Sequence, residues 1–299
     1  MPLERPDMKP FSIAGQVLAS RVGYGCLRLQ EGEGEPGLRL GSDETVQFLR
    51  DARDLGYQLF DTADIYGDGE NELALARAFG SDEDLIIATK GGFRRLGEDW
   101  VPDGTPEHLR RACEASLRRL GRDTIDLYQL HVIDPTVPVE ESIGALYELR
   151  RKGLIRELGI CNAEPDDFGR AVQVANISTV QNRVNPLYPP SERFLQDLTE
   201  RQVWLLAWYP LEAGTLGRPR GQLARIAANA GCTAAQLTLS ACLSMSPGVV
   251  IIPGTTNRTH LRENREAEFQ IYDDEIVARY QDAIQRLRAL REAAGSFAQ

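Results

Sequence analysis

One pattern recurs along most of this 299-residue chain and limits its fold more than any other feature: a short apolar run, a polar residue, then an amphipathic helical stretch. The run at 59–67, "LFDTADIYG", is apolar up to Phe60 and then presents Asp61, Asp64 and Tyr66 at once. "LIIATK" at 85–90 is apolar until Lys90, "TIDLYQLH" ends on His131 and "IRELGICN" on Asn162. "STVQN" carries Gln181 near its end, and "VWLLAWYPL" runs through Trp208 into a proline. Strands this apolar are covered on both faces, as in a parallel sheet flanked by helices. The intervening segments carry helix punctuation. In "TPEHLRRACEASLRRLG", Thr105 stands as N-cap, Pro106 follows at the first helical position, Leu109, Ala112, Leu117 and Leu120 share one side, and Gly121 is the stop.

From Val22 onward the pattern gives about eight strand-then-helix units, the count of a (β/α)8 TIM barrel. A hairpin in "FSIAGQVLASRVGYG" precedes them. Ile276, Val277, Tyr280, Ile284, Leu287 and Leu290 mark an extra C-terminal helix outside the repeat. The rival α/β architecture, an open doubly wound sheet, gathers its polar strand ends at one switch point. Here they close many successive strands, as at a barrel mouth. The dinucleotide fingerprint G-x-G-x-x-G is also broken, because Arg28 stands where "GYGCLR" needs its third glycine. With no linker-like composition, residues 1–299 read as a single domain.

Composition narrows the partners. A net charge of −10 with scattered arginines argues against nucleic acid and anionic membranes. A bound anion would need a local site of backbone N–H groups and one or two cations. Five cysteines without C-x-x-C spacing read as reduced thiols of a cytoplasmic protein. No apolar run approaches the length of a membrane span or signal core, and no metal-ligand spacing stands out. Oligomeric state is not written in the sequence.

Four strand-end residues suggest chemistry when taken together. Asp61 beside Lys90 would keep the ammonium charged. That ammonium beside Tyr66 would favour phenolate and draw the phenol's pKa down from about 10. His131 would hydrogen-bond the oxygen that receives the proton. Singly, each has an ordinary structural explanation, and His108, in the first turn of a helix, keeps that explanation. Joint occurrence at one barrel mouth favours function. Asp64 divides evenly between the two.

At this point the chain resembles the aldo-keto reductase family. "FDTADIYG", "ATKGG", "DLYQLH", "GICN", "VQNRVNPL" and "IPGTTNRTHLREN" are similar to that family's motifs in order and spacing, from about Val22 to Asn264. The resemblance implies a barrel that binds NADP(H) in extended form and acts on a small-molecule carbonyl. It implies Tyr66 as general acid for carbonyl reduction, Lys90 and Asp61 as its tuning pair, and His131 as the group that orients the carbonyl.

For the cofactor it implies Gly25, Cys26 and Leu27 in the first loop, Asp61, and the amides of Asn162 and Gln181 on the nicotinamide carboxamide. Trp208 would stack on the nicotinamide, followed by Tyr209 and Leu211; a core role for Trp208 competes, since Trp204 shares its strand. Gly254, Thr255, Asn257, Arg258, His260, Glu263 and Asn264 fall on the phosphate and adenine side, where Glu263 and Asn264 are equally readable as helix surface. "WYPL" departs from the usual tyrosine-serine-proline-leucine run. Gly254 stands where many members have lysine and His260 where many have arginine, so Arg258 is the expected replacement cation. NADP(H) is preferred and NAD(H) is the alternative.

Two other uses fit the same residues: an aldolase or isomerase forming a Schiff base on Lys90, and a non-catalytic NADP(H)-binding regulatory barrel. Substrate choice would rest on the loops at 94–104, 133–139, 188–191 and 212–221 and on the tail after 291. Phe93, Trp100, Tyr188 and Tyr209 are candidate pocket linings. Arg28 and Glu212 could reach the site from the first and seventh loops.

Overall fold

The computed structural model describes residues 10–31, 40–80 and 82–293. Its centre is a ring of parallel strands: β1 (Tyr24–Gly25), β2 (Leu59–Asp61), β3 (Ile86–Gly91), β4 (Ile125–Leu130), β5 (Ile155–Cys161), β6 (Thr179–Arg183), β7 (Trp204–Trp208) and β8 (Val249–Ile251). Each pairs with the next in sequence order. The ring closes where Val22 bridges Ile251 in parallel register, with Gly23 N donating to Ile251 O at 2.8 Å and Ile251 N to Arg21 O at 2.9 Å. This is the (β/α)8 barrel that the repeated pattern predicts.

The helices α1 (Asp43–Asp54), α2 (Glu70–Phe79), α3 (Pro106–Leu120), α4 (Val139–Arg151), α5 (Pro165–Val174), α6 (Glu192–Glu200), α7 (Gln222–Asn229), α8 (Ala234–Leu243) and α9 (Arg258–Glu266) lie between successive strands or follow the last. Local chemistry sets their ends. Ser42 Oγ accepts from Thr45 N at 3.2 Å to open α1. Thr105 caps α3 through His108 N, Pro106 follows, and Gly121 takes φ +64° beyond its last turn. The extra helix, α10 (Asp274–Ala293), buries Ile276, Tyr280, Ala283 and Ile284 against Leu223, Ile226 and Ala227 of α7.

Two apolar regions follow from strand alternation. Outward residues such as Phe60, Ile87, Tyr128, Ile160 and Leu205 pack under the helices. Inward residues Leu59, Ile86, Ala88, Leu127, Leu206 and Val250 fill the barrel with Phe11, Ile13 and Leu18. Those last three come with an N-terminal hairpin (Ser12–Ile13 with Gln16–Val17), tied to the barrel by Ala14 N donating to Glu157 Oε1 at 2.7 Å. The N-terminal end of the barrel is therefore apolar packing, and polar inward residues sit at the other end.

One expectation needs adjustment. The loop at 94–104 contains a second hairpin, Phe93–Leu96 paired with Asp99–Pro102. Alternation is weak there because most of the ribbon is exposed, with only Phe93, Trp100 and Val101 partly buried. The acidic, glycine-rich stretch at 30–37 starts as the end of a one-turn helix, Arg28–Glu31, and from 32 on lies outside the described residues, as does the tail from 294. Among the described residues no single helix is long and apolar enough to cross a membrane.

Candidate active site

Alternation brings the polar strand ends into the barrel mouth. Asp61 shares a strand face with Leu59, Lys90 with Ile86 and Ala88, and His131 with Leu127 and Gln129. Backbone hydrogen bonds continue past the strands and hold their ends: Thr62 N to Ala88 O at 2.8 Å, His131 N to Gly91 O at 2.9 Å and Asn162 N to Gln181 O at 3.0 Å.

Lys90 is fully buried, and its Nζ donates to Asp61 Oδ2 at 2.6 Å and to Thr62 O at 2.7 Å. Burial works against its charge, but the attraction of Asp61, with Tyr66 and Cys161 adding to it, raises its pKa above that of a free lysine. The other Asp61 oxygen, Oδ1, accepts from Gln181 Nε2 at 2.7 Å and from Gln129 Nε2 at 3.2 Å. Gln129 in turn accepts from Thr179 Oγ1 at 3.3 Å, and Gly159 beside them leaves no room for a Cβ. The carboxylate is thus oriented by three side-chain donors in an otherwise apolar barrel.

Tyr66 lies over this pair, with Lys90 Nζ 5.4 Å from its ring centroid. Its pKa is pushed up to about 12, because burial outweighs the lowering effect of Lys90. The expectation that the lysine brings the phenol down from its ordinary value is corrected here: Lys90 opposes the rise without reversing it, since desolvation of a phenolate is the larger effect. His131 meets the Tyr66 ring edge-on at 5.7 Å. Burial first, and Lys90 second, hold the imidazole pKa well below its usual value, so the ring is neutral. Its Nδ1 is buried and makes no hydrogen bond. Phe93 and Trp100 of the second hairpin complete an aromatic wall, Trp100 stacked on Tyr66 at 5.8 Å and Phe93 edge-on to His131 at 4.8 Å.

Several of the residues expected to meet a cofactor lie beside this site. Asn162, at φ +53°, donates from Nδ2 to His131 O at 3.0 Å and accepts from Trp208 Nε1 at 3.2 Å. Trp208 is half-buried and Tyr209 follows it at φ +56°. Left-handed backbone at these two non-glycine residues costs about 1–3 kcal/mol each. Gln181 is engaged with Asp61, as above. Leu27 packs near Tyr66 and Trp100, and Cys26 N donates to Asp61 O at 2.9 Å.

On the far side, Gly25 and Gly254 bring the ends of β1 and β8 together. A Cβ at Gly25 would stand 2.6 Å from Ile252 O, and one at Gly254 would stand 2.7 Å from Gly25 O and 3.1 Å from Arg28 Cγ. Glycine is required at both. Asn257 opens α9, its Oδ1 accepting from Thr259 N and His260 N, and its own N donates to Thr255 Oγ1 at 3.1 Å. His260 is exposed, Glu263 half-buried and Asn264 buried. Arg258, the expected replacement cation, bonds Asp51 Oδ2 through Nε at 2.8 Å and keeps its side chain about half exposed. Leu211 packs against the main core.

Asp64 lies beside the site. Burial, reinforced by the charge of Glu72, raises its pKa to about 7, and its Oδ1 is buried with no hydrogen-bond partner. His108 keeps a structural place, its ring bonded to Phe93 O at 3.0 Å. Gln129 was missed from the sequence, where its signal is a lone amide in the apolar run "DLYQLH". Arg183 was missed as well, although it follows Gln181 at the two-residue spacing of one strand face.

The chain is therefore a (β/α)8 barrel with its polar chemistry at the C-terminal mouth, where such barrels carry their active sites. Residues 21–285 match the model of the Aldo/keto reductase family, and the chain belongs to that family. It is 33% identical over 273 residues to pyridoxine 4-dehydrogenase of Escherichia coli, covering 88% of this chain and 94% of that one. An uncharacterised oxidoreductase of Schizosaccharomyces pombe is 34% identical over 266 residues, 89% of this chain and 87% of its own. Among solved structures, an aldo-keto reductase of Bacillus halodurans in its holo form superposes with a TM-score of 0.76 at 27% identity, covering 94% and 96% of the two chains. An aldo/keto reductase of Klebsiella pneumoniae in complex with NADP and acetate does so with a TM-score of 0.76 at 25% identity, covering 94% and 96%.

Proposed function

We propose that this protein is an NADP(H)-dependent reductase of aldehydes or ketones, working as a single domain, with Tyr66 as the proton donor. The observation that carries the reading is the buried 2.6 Å Lys90–Asp61 pair beneath the Tyr66 ring. The NADP complex of the Klebsiella pneumoniae relative supports the choice of NADP(H) over NAD(H).

The mouth suits an extended dinucleotide. Trp208 offers a flat ring, Asn162 and Gln181 offer amides beside it, and Thr255 with the first turn of α9 offers polar groups at the other end. The unpartnered Nδ1 of His131 fits a site whose polar groups await a ligand. When bound, NADPH supplies the hydride that adds to the carbonyl carbon.

The chain supplies the proton. With its pKa near 12, Tyr66 holds its hydrogen at neutral pH and enters the reaction as an acid. It gives that proton to the carbonyl oxygen as negative charge develops there, yielding the alcohol. Lys90, kept charged by Asp61, steadies the tyrosinate left behind. Neutral His131 donates an N–H to the same oxygen and orients it without competing as an acid. In the reverse direction the alcohol returns its proton to the tyrosinate. A Schiff base on Lys90 would need a neutral amine, and the pairing with Asp61 weighs against it. Five free thiols suit a reducing, cytoplasmic setting.

Tyr66→Phe tests the assignment. Fluorescence titration should show NADPH binding retained, while NADPH oxidation against aldehydes, ketones and sugar-like carbonyls falls about 100- to 10,000-fold. Lost binding with unchanged turnover per bound enzyme would remove Tyr66 from the role.

A further inference from the structure

A second charged group stands at the barrel mouth, apart from the Lys90–Asp61 pair. Arg183 ends β6 on the same strand face as Gln181, whose amide reaches Asp61. Two residues of strand carry it roughly 7 Å farther out. Its guanidinium lies over the Tyr188 ring at 4.0 Å and near that of Tyr209 at 5.8 Å. Nη2 donates to Glu212 Oε1, while Nε is buried and makes no hydrogen bond.

Glu212 is itself buried. Its Oε1 also accepts from Arg291 Nη1 at 3.1 Å, and its Oε2 accepts from Asn185 Nδ2 at 2.9 Å. Arg291 comes from the end of α10, and Arg288 on the same helix donates to Pro186 O at 2.9 Å. One carboxylate therefore serves two guanidinium groups, each about a quarter exposed on its side chain, at 28% for Arg183 and 27% for Arg291. The pair keeps one positive charge over, on a chain whose net charge is −10.

We propose that Arg183 and Arg291 form a recognition site for an anionic group, a carboxylate or phosphate, carried by the carbonyl substrate. This rests on the reductase reading above. Glu212 and the Tyr188 ring fix the Arg183 plane before any ligand arrives, which lowers the ordering cost of binding. The quarter of each side chain that stays exposed can meet an oxyanion, and guanidinium suits planar, forked recognition of one. With the carbonyl oxygen at Tyr66 and His131, the matching substrate carries its charge at the far end of a short or aromatic body.

Paired probes test this: benzaldehyde and 4-carboxybenzaldehyde, with NADPH affinity measured in parallel. The wild-type enzyme should favour the carboxylated aldehyde in kcat/KM. Arg183→Gln should cut the ratio of the two kcat/KM values at least tenfold, chiefly through KM, with NADPH affinity kept within about twofold. Glu212→Gln removes the competing carboxylate charge and should raise the ratio. A merely structural cluster would lower turnover of both aldehydes together in both variants, and that result overturns the proposal. So does a loss of NADPH affinity in Arg183→Gln at an unchanged aldehyde ratio, which would assign the cation to the cofactor's own phosphates. Reduction of both aldehydes without preference sinks this site alone; failure of the wild-type protein to bind NADPH sinks the reductase reading and this site with it.

Discussion

Replacing Lys90 with methionine removes an ammonium that has no contact with solvent and leaves Asp61, 3% exposed, as a buried carboxylate. At the 2.6 Å separation of the pair, an effective dielectric of about 20 gives an attraction of about 6 kcal/mol. Desolvation of the two ions costs several kcal/mol apiece, so the intact pair is worth little against apolar neighbours, while an unpaired survivor is costly. Lys90→Met should therefore lower unfolding stability by about 3–5 kcal/mol. Asp61→Asn should cost a similar amount: its Oδ1 can still accept from Gln129 and Gln181, but its Nδ2 then points a donor at the Lys90 donor. The double variant buries no charge and should lie well above the sum of the singles, with a coupling of about 1–3 kcal/mol or more. Urea unfolding at pH 7, followed by tryptophan fluorescence and circular dichroism, measures all four corners. Additive losses would refute the account, because two groups joined by a buried ion pair cannot be removed independently.

Other outcomes follow from the same geometry. The raised pKa of Tyr66 and the depressed pKa of His131 predict that kcat/KM for carbonyl reduction shows no inflection near 6.5 and falls only at strongly alkaline pH, towards 12; a clear step near 6.5 would mean that His131 titrates in the working range. The same shifts set stability. Buried neutral His131 contributes stability that is present above the unfolded value near 6.5 and lost as pH falls below it, whereas Tyr66 contributes stability that is present below about 10 and lost as pH rises towards 12. Trp208→Phe keeps a stacking ring but deletes the 3.2 Å bond to Asn162 Oδ1, and at about 0.5–1.5 kcal/mol should weaken NADPH binding about 2- to 13-fold by fluorescence titration; unchanged affinity would detach that bond from cofactor binding.

How much of this was legible in the sequence depended on whether a residue's task is local. Thr105, Pro106 and Gly121 act on the helix they bound, so their positions could be read directly. The barrel could be read because alternating strand and helix periods repeat, and Asp61, Lys90 and His131 because each ends an apolar run. The direction of the Tyr66 shift could not be read: it depends on how completely Phe93, Trp100 and their neighbours exclude water, which no spacing reports. The bond from Arg258 to Asp51 could not be read either, because Asp51 lies more than 200 residues earlier in the chain. Gln129 and Arg183 were passed over for a similar reason, since their partners Asp61 and Glu212 belong to distant loops and strands.

The bridge between Val22 and Ile251 has a consequence for how the molecule comes into being. A growing chain can pair β1 with β2 early, and each new strand can dock on the one before it. The exposed edge at β1, however, has no partner until the segment around Ile251 has left the ribosome. Until then the nascent sheet is an open arc with two unpaired borders, a form prone to wrong pairing. The seam joins the most distant strands in sequence, so closing it carries the largest loop-entropy cost of any contact in the sheet. Gly25 and Gly254 lie beside that seam, and the final act of assembly therefore also shapes that wall of the mouth.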